Sequence, residues 1–279
     1  GDTVVVGATG ESSATEILSD QSDNRARRAG AAYVFVRNNT IWTQQAYLKA
    51  SNGETGDLFG GSVGVSGDTI VVGATSEDSI ATGVNGDPIS SGANASGAAY
   101  VFTRSGGNWT QQQKLFVPDG FAGALFGAAV ALDGATALVG AHEQTIAPSF
   151  FTNGAAYVFV RNGTAWTQQA KLLPSDGRGG DNFGTRVALR GDTLVIGAPG
   201  ADLMGRSNAG AAYIFQRSGT AWSQIAKLTA SDGTSDDQLG FAVALDGDIA
   251  VIGARGADIG MRKDARSEER RVGKECLRL

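Results

Sequence analysis

Apolar and polar residues alternate with a period of two over short runs, and the runs come in sets of four, the pattern of half-buried β-strands. In one set the strands are predicted at Phe183 to Leu189, Thr193 to Ala198, Ala211 to Gln216 and Ala221 to Leu228. Within the last, Trp222, Gln224, Ala226 and Leu228 face one way and Ser223, Ile225 and Lys227 the other. The breaks carry hairpin chemistry: Gly191-Asp192 after the first strand, and Asn162-Gly163 or Ser218-Gly219 after the third. Each set therefore predicts an antiparallel sheet of four strands joined by tight turns, the form of a propeller blade.

The sets are copies of one another. Gly-Ala-Ala-Tyr-(Val/Ile)-Phe or a close variant places Tyr33, Tyr100, Tyr157 and Tyr213, and nine residues later stand Trp42, Trp109, Trp166 and Trp222. Phe59, Phe126, Phe183 and Leu239 open the following units, and Gly7, Gly73, Gly140, Gly197 and Gly253 close a strand in each. The tyrosines are 67, 57 and 56 residues apart, while the connections between second and third strands (75–96, 142–153 and 199–209) hold 22, 12 and 11. Subtraction leaves 45 in each case, so the length variation sits in one loop per blade. In an up-and-down blade that loop leaves from the same end as the connection after the fourth strand, which makes this end the candidate binding surface.

The predicted fold class is all-β, an incomplete propeller of about four blades out of an expected seven. The boundaries are a partial blade at 1–50, blades at 58–115, 125–172 and 182–228, and a partial blade at 238–258. Residues 259–279 are predicted to be a non-native tail, and the part from Arg266 onward to pack against nothing. Within it, Arg266 to Cys276 resemble the conceptual translation of a sequencing-adapter oligonucleotide.

Charge narrows the partners. The chain has 23 Lys and Arg against 28 Asp and Glu; without the five basic and three acidic residues from Arg266 onward the balance is 18 against 25. A net negative surface repels phosphate backbones and argues against a nucleic-acid partner. No apolar run reaches the roughly 18 to 20 residues of a membrane-spanning helix. The sole cysteine, Cys276, lies in the tail, so the repeats offer no disulfide and no thiolate ligand.

Phe183-Gly184, Gly197-Ala198-Pro199 and Trp166-Thr167-Gln168-Gln169-Ala170-Lys171-Leu172 resemble the FG-GAP repeats of integrin α-subunit propellers, and more closely the bacterial members of that family. The resemblance covers residues 1 to about 258. It implies an extracellular or cell-surface binding or adhesion module with a protein or glycan ligand. The alternative is a propeller that belongs to, or is attached to, a carbohydrate-active or other secreted hydrolase. The family's Asp-rich calcium loop is not carried over, because the connection at its place has shrunk to Ser66-Gly67-Asp68, Asp133-Gly134-Ala135, Arg190-Gly191-Asp192 and Asp246-Gly247-Asp248. Two or three residues cannot supply six to eight oxygens.

The remaining polar signal is the connection from a fourth strand to the next Phe-Gly. Asp57 follows Ser51-Asn52-Gly53 there, and Asp176 with Asp181 and Asp232 with Asp237 repeat the spacing. These five Asp residues are the candidate calcium ligands, and calcium is the only cofactor expected. The competing interpretation, an Asx-turn that shapes the loop, is favoured. Asp119 keeps the first position while Ala124 replaces the second. No catalytic residue is predicted and the chain is expected not to be an enzyme: the one histidine, His142, is expected to be solvated in a loop, and the acidic residues are spread evenly over the repeats. Arg190-Gly191-Asp192 occupies a hairpin turn and is expected to be punctuation. The aromatic residues are expected to pack between blades.

Overall fold

The computed structural model describes residues 1–13, 24–78, 95–116, 121–145 and 152–257, with the backbone of 276–278. Among the described residues every regular element is a strand. The first sheet is β1 (Thr3–Ala8), β2 (Ala31–Asn38) and β3 (Ile41–Leu48); the second is β4 (Phe59–Ser66), β5 (Thr69–Ala74), β6 (Ala98–Ser105) and β7 (Asn108–Leu115). The third is β8 (Ala129–Asp133), β9 (Thr136–Ala141), β10 (Ala155–Asn162) and β11 (Ala165–Leu172). The fourth is β12 (Arg186–Arg190), β13 (Thr193–Ala198), β14 (Ala211–Ser218) and β15 (Ala221–Leu228), and the fifth is β16 (Leu239–Asp246), β17 (Ile249–Ala254) and β18 (Cys276–Arg278). Strands pair in chain order, which is the antiparallel up-and-down blade expected of a propeller.

Two compact units, Gly1–Val139 with Phe159–Thr167 and Gly140–Val158 with Gln168–Leu279, are best taken separately. In the first, Phe59 packs its ring edge-on against Tyr100 at 5.5 Å and Phe102 at 6.0 Å, inside a core with Val34, Leu48, Ile70, Val72 and Trp109. In the second, Phe183 meets Tyr213 at 5.5 Å and Phe215 at 6.1 Å. The aromatic residues of the repeat are thus mostly core, as expected. Trp42 departs from this at 43% exposure: it lies on the first sheet, and among the described residues no preceding sheet packs on it.

Two glycines explain the spacing of the repeat. A Cβ on Gly73 would lie 2.0 Å from the Gly127 carbonyl oxygen, so the end of β5 and the Phe126-Gly127 step touch backbone to backbone. The same contact recurs between Gly197 and Gly240. In both partner positions φ is near +90°, a conformation that glycine adopts freely, and in β16 the ladder shifts register there, between Leu239 and Ala242. β12 begins at Arg186, three residues later than the pattern of apolar residues predicts: Phe183 and Gly184 lie outside the strand, and Phe183 bridges to Gly154.

The Trp-Thr-Gln-Gln strands are not uniformly alternating. The ladder between β6 and β7 pairs Phe102 with Gln111 and Val101 with Gln113, so Gln112 is an unpaired bulge residue. Gln45 is skipped in the same way. The bulge aims this glutamine at the next sheet's tryptophan: Trp109 Nε1 donates to Gln45 Oε1 at 2.9 Å, Trp166 Nε1 to Gln112 Oε1 at 3.1 Å, and Trp222 Nε1 to Gln169 Oε1 at 2.8 Å.

One expectation is corrected at the end of the chain. Cys276, Leu277 and Arg278 pair antiparallel with Val251, Ala250 and Ile249, so these tail residues are not without contacts. A strand edge presents unpaired N–H and C=O groups that an extended triplet of almost any sequence can satisfy. Residues 258–275 lie outside the described residues.

Candidate functional site

Antiparallel pairing in chain order brings the loop after each second strand and the connection after each fourth strand to the same end of a sheet. Backbone hydrogen bonds tie the two together. Phe59 N donates to Ala29 O at 3.0 Å, Phe126 N to Ser96 O at 2.9 Å, Phe183 N to Asn153 O at 3.1 Å and Leu239 N to Ala209 O at 3.0 Å. From the other side of the loop, Ser76 N donates to Asp57 O and Gly200 N to Asp181 O. Parts of the loops (14–23, 79–94 and 146–151) fall outside the described residues; their stems are fixed by these bonds. The Ser residues of the connections are also held, Ser51 N by Gln111 Oε1 and Ser175 N by Gln224 Oε1, both at 2.9 Å. Those glutamines are the first of the Gln-Gln pair or its equivalent.

The candidate calcium ligands have other work. Asp57, Asp181 and Asp237 are buried, and each accepts through Oδ2 from the backbone N–H three residues earlier: Glu54 at 2.7 Å, Arg178 at 2.8 Å and Thr234 at 2.8 Å. Both oxygens of Asp176 are engaged, Oδ2 by Lys227 Nζ at 2.5 Å and Oδ1 by the Tyr213 hydroxyl at 3.0 Å. Among the described residues no three His, Cys, Asp or Glu side chains gather as a metal cage. Calcium takes six to eight oxygens, and these carboxylates, each engaged elsewhere, do not supply such a set by themselves.

The lysine pairs form a repeating device that the pattern of residues alone did not disclose. In the second sheet Lys114 Nζ donates to Glu77 Oε1 at 2.6 Å, with both side chains no more than 3% exposed. Asn52 Nδ2 donates to the same oxygen at 3.0 Å, and its Oδ1 accepts from the Tyr100 hydroxyl at 2.8 Å. In the first sheet Lys49 Nζ donates to Glu11 Oε2 at 3.0 Å. The acid comes either from the loop, three residues past the Gly-Ala, or from the connection. Asn52 goes with Glu77, Asp119 with Gln144, Asp176 with Ala201 and Asp232 with Ala257. Each of these positions thus carries one carboxylate, and in the three pairs that are described it meets a lysine, where two carboxylates would repel each other.

Electrostatics follow burial. Burial pushes the Asp57 carboxyl up to about 7; the Glu54 N–H opposes the rise and the charges of Glu77, Glu54 and Asp78 add to it. Burial likewise raises Asp181. For Asp176 burial acts upward too, but the bonds from Lys227 and Tyr213 outweigh it and hold the carboxyl below its ordinary value. His142 differs from the expectation of a solvated residue: its Nδ1 is buried, burial lowers its pKa, and Glu143 lies 3.8 Å from Nε2.

At the other end of the sheets stand only tight turns. Asp192 of the Arg190-Gly191-Asp192 turn is held by Arg217, with Nη2 to Oδ1 at 2.6 Å, which makes it a structural residue of the hairpin.

Four-stranded antiparallel blades that interlock through Phe-Gly and Gly-Ala steps define a propeller repeat protein. The FG-GAP repeat model matches residues 42–102, 109–159, 166–215 and 222–267, well over half of the chain, which belongs to the FG-GAP repeat family. No curated protein matches the chain. Among the described residues no helix is long and apolar enough to cross a membrane.

Proposed function

We propose that this chain is a non-catalytic, extracellular or cell-surface binding module whose protein or glycan ligand is taken by the loop-bearing end of the blades. FG-GAP repeats are typical of extracellular, adhesion-related domains, which supports the setting. The observation that carries the proposal is the fixed stem beneath loops of unequal length: backbone bonds from Phe59, Phe126, Phe183 and Leu239 anchor every loop to the adjoining connection. A rigid base with variable tips is the usual construction of a binding surface. Among the described residues, Asp57, Asp181 and Asp176 are spent on backbone N–H groups and a lysine, which supports binding over acid–base chemistry.

The test is a pair of loop exchanges. Replacing residues 79–94 by a short Gly-Ser link, and separately shortening the loop at 142–153, is expected to abolish binding to whichever member of an immobilised glycan and matrix-protein panel the intact chain retains. Binding unchanged in both variants refutes the proposal. Turnover of chromogenic glycosides by the intact chain, lost on substitution of a carboxylate, would establish the hydrolase alternative instead.

A further inference from the structure

The turn end of the sheets carries a second repeating pair. Arg37 Nε and Nη2 donate to Asp2 Oδ1 at 2.9 and 2.7 Å, Arg104 Nε and Nη2 to Asp68 Oδ1 at 2.7 and 2.6 Å, and Arg217 Nε and Nη2 to Asp192 Oδ1, both at 2.6 Å. Each arginine also lies over the tryptophan ring directly opposite it across the hairpin: Arg37 on Trp42, Arg104 on Trp109 and Arg217 on Trp222. The backbone fixes the register, since the arginine N–H donates to the carbonyl of the same aspartate at 2.8 to 2.9 Å.

Arg161 has everything except the acid. Its N–H donates to the carbonyl of residue 135 at 2.8 Å, and its guanidinium lies 5.9 Å from the Trp166 ring centre. Residue 135, however, is alanine. Nη1 donates to Thr69 Oγ1 at 3.3 Å, as Nη1 of Arg104 donates to Gln45. That leaves Nε and Nη2, the two donors that hold a carboxylate in the sister hairpins, pointing into space. The space is a concavity of about 430 Å³ bounded by Ser66, Thr69, Thr103, Arg104 and Arg161 together with the Gly134-Ala135 turn. Within it Asp68 is already bonded to Arg104, so the open charge is that of Arg161.

We infer that this concavity is a binding site for a carboxylate supplied by a ligand, which takes the place left by the aspartate that residue 135 lacks. A planar carboxylate matches the fork of Nε and Nη2, and the indole face of Trp166 fixes the guanidinium plane in advance, so little order is lost on binding. Arg161 acts as the anion-binding residue and Thr69 as the residue that orients it. The site lies at the turn end, away from the loops, and stands independently of the binding surface proposed above.

Acetate is the probe, titrated at constant ionic strength into the full chain and followed by the chemical shift of Arg161 Nε–H. The expected result is a saturable shift. Arg161→Gln, compared with the wild type through the Trp166 indole N–H that stays in both proteins, is expected to abolish the saturable response. Ala135→Asp is expected to weaken acetate binding about tenfold or more by filling the site from within, while leaving the backbone spectrum native. Sulfate in a parallel titration separates carboxylate recognition from general anion attraction, and equal affinity for both would overturn the assignment to a carboxylate. A linear, unsaturable shift, or acetate binding undiminished in Ala135→Asp, overturns the site.

Discussion

Asp57→Asn is expected to stabilise the protein above neutral pH. The carboxyl is buried and its pKa stands at about 7, against an ordinary value of 3.8. For an acid whose folded pKa is raised, the stability tied to its protonated form is complete below the unfolded value and is lost as pH rises through the folded one. The gap between 3.8 and about 7 corresponds to a ceiling of about 4 kcal/mol, and relaxation around the charge reduces this to roughly 1 to 3 kcal/mol in practice. Asparagine keeps an oxygen for the Glu54 N–H and carries no charge toward Glu77 and Asp78, so it is free of that penalty. Urea unfolding of both proteins at pH 5.5, 7 and 8.5 provides the assay. The variant is expected to gain on the wild type as pH rises, by about 1 to 3 kcal/mol at pH 8.5. Taking the difference between the two proteins cancels groups of opposite sign such as Asp176, whose lowered pKa contributes stability that is lost toward acid pH. A variant no more stable than the wild type at pH 8.5, with a parallel pH profile, refutes the reasoning.

Gly73→Ala is expected to cost about 3 kcal/mol or more, because its Cβ would meet the Gly127 carbonyl, whereas Gly67→Ala, at φ +56° with open space around it, costs about 1 kcal/mol; similar losses in thermal melts would contradict the interlock. Glu77→Ala strands the buried Lys114 and is expected to cost about 3 kcal/mol, while adding Asn52→Asp moves the carboxylate to the position used by Asp176 and recovers most of it. An additive pair of effects in that cycle would show that the exchange between loop and connection is accidental. Gln45→Leu removes the acceptor of Trp109 Nε1 and is expected to cost about 1 to 2 kcal/mol, read by chemical denaturation with a change in tryptophan fluorescence. Calcium in place of chelator is expected to leave the melting temperature unchanged, and a rise abolished by Asp181→Ala would reinstate Asp181 as a ligand.

The blades were legible because period-two runs and glycine turns recur four times, and the near-identical copies fix the strand order. The bulge at Gln45 and Gln112 was not, since one extra residue leaves the apolar positions on either side intact and a glutamine at that place passes for a solvent-facing residue. The lysine pairs were hidden for a different reason: Lys114 and Glu77 are far apart in the chain, and Asp176 looked like a loop acid. A signal was nonetheless present, since Asn52 with Glu77 and Asp176 with Ala201 alternate the acid between two positions. The Arg–Asp pairs were masked by the same turn chemistry that identified the hairpins, and only Ala135 breaks the series.

Hydroxyl-radical footprinting of the intact chain with the ligand recovered from the glycan and matrix-protein panel tests the proposed binding surface most directly. The account predicts protection concentrated in residues 9–29, 75–96, 142–153 and 199–209 and in the connections around Ser51, Ser175 and Ser231. The turns at 66–69, 190–193 and 246–249 should keep their free reactivity. Protection of those turns, with the loops as reactive as in the unbound chain, would contradict it.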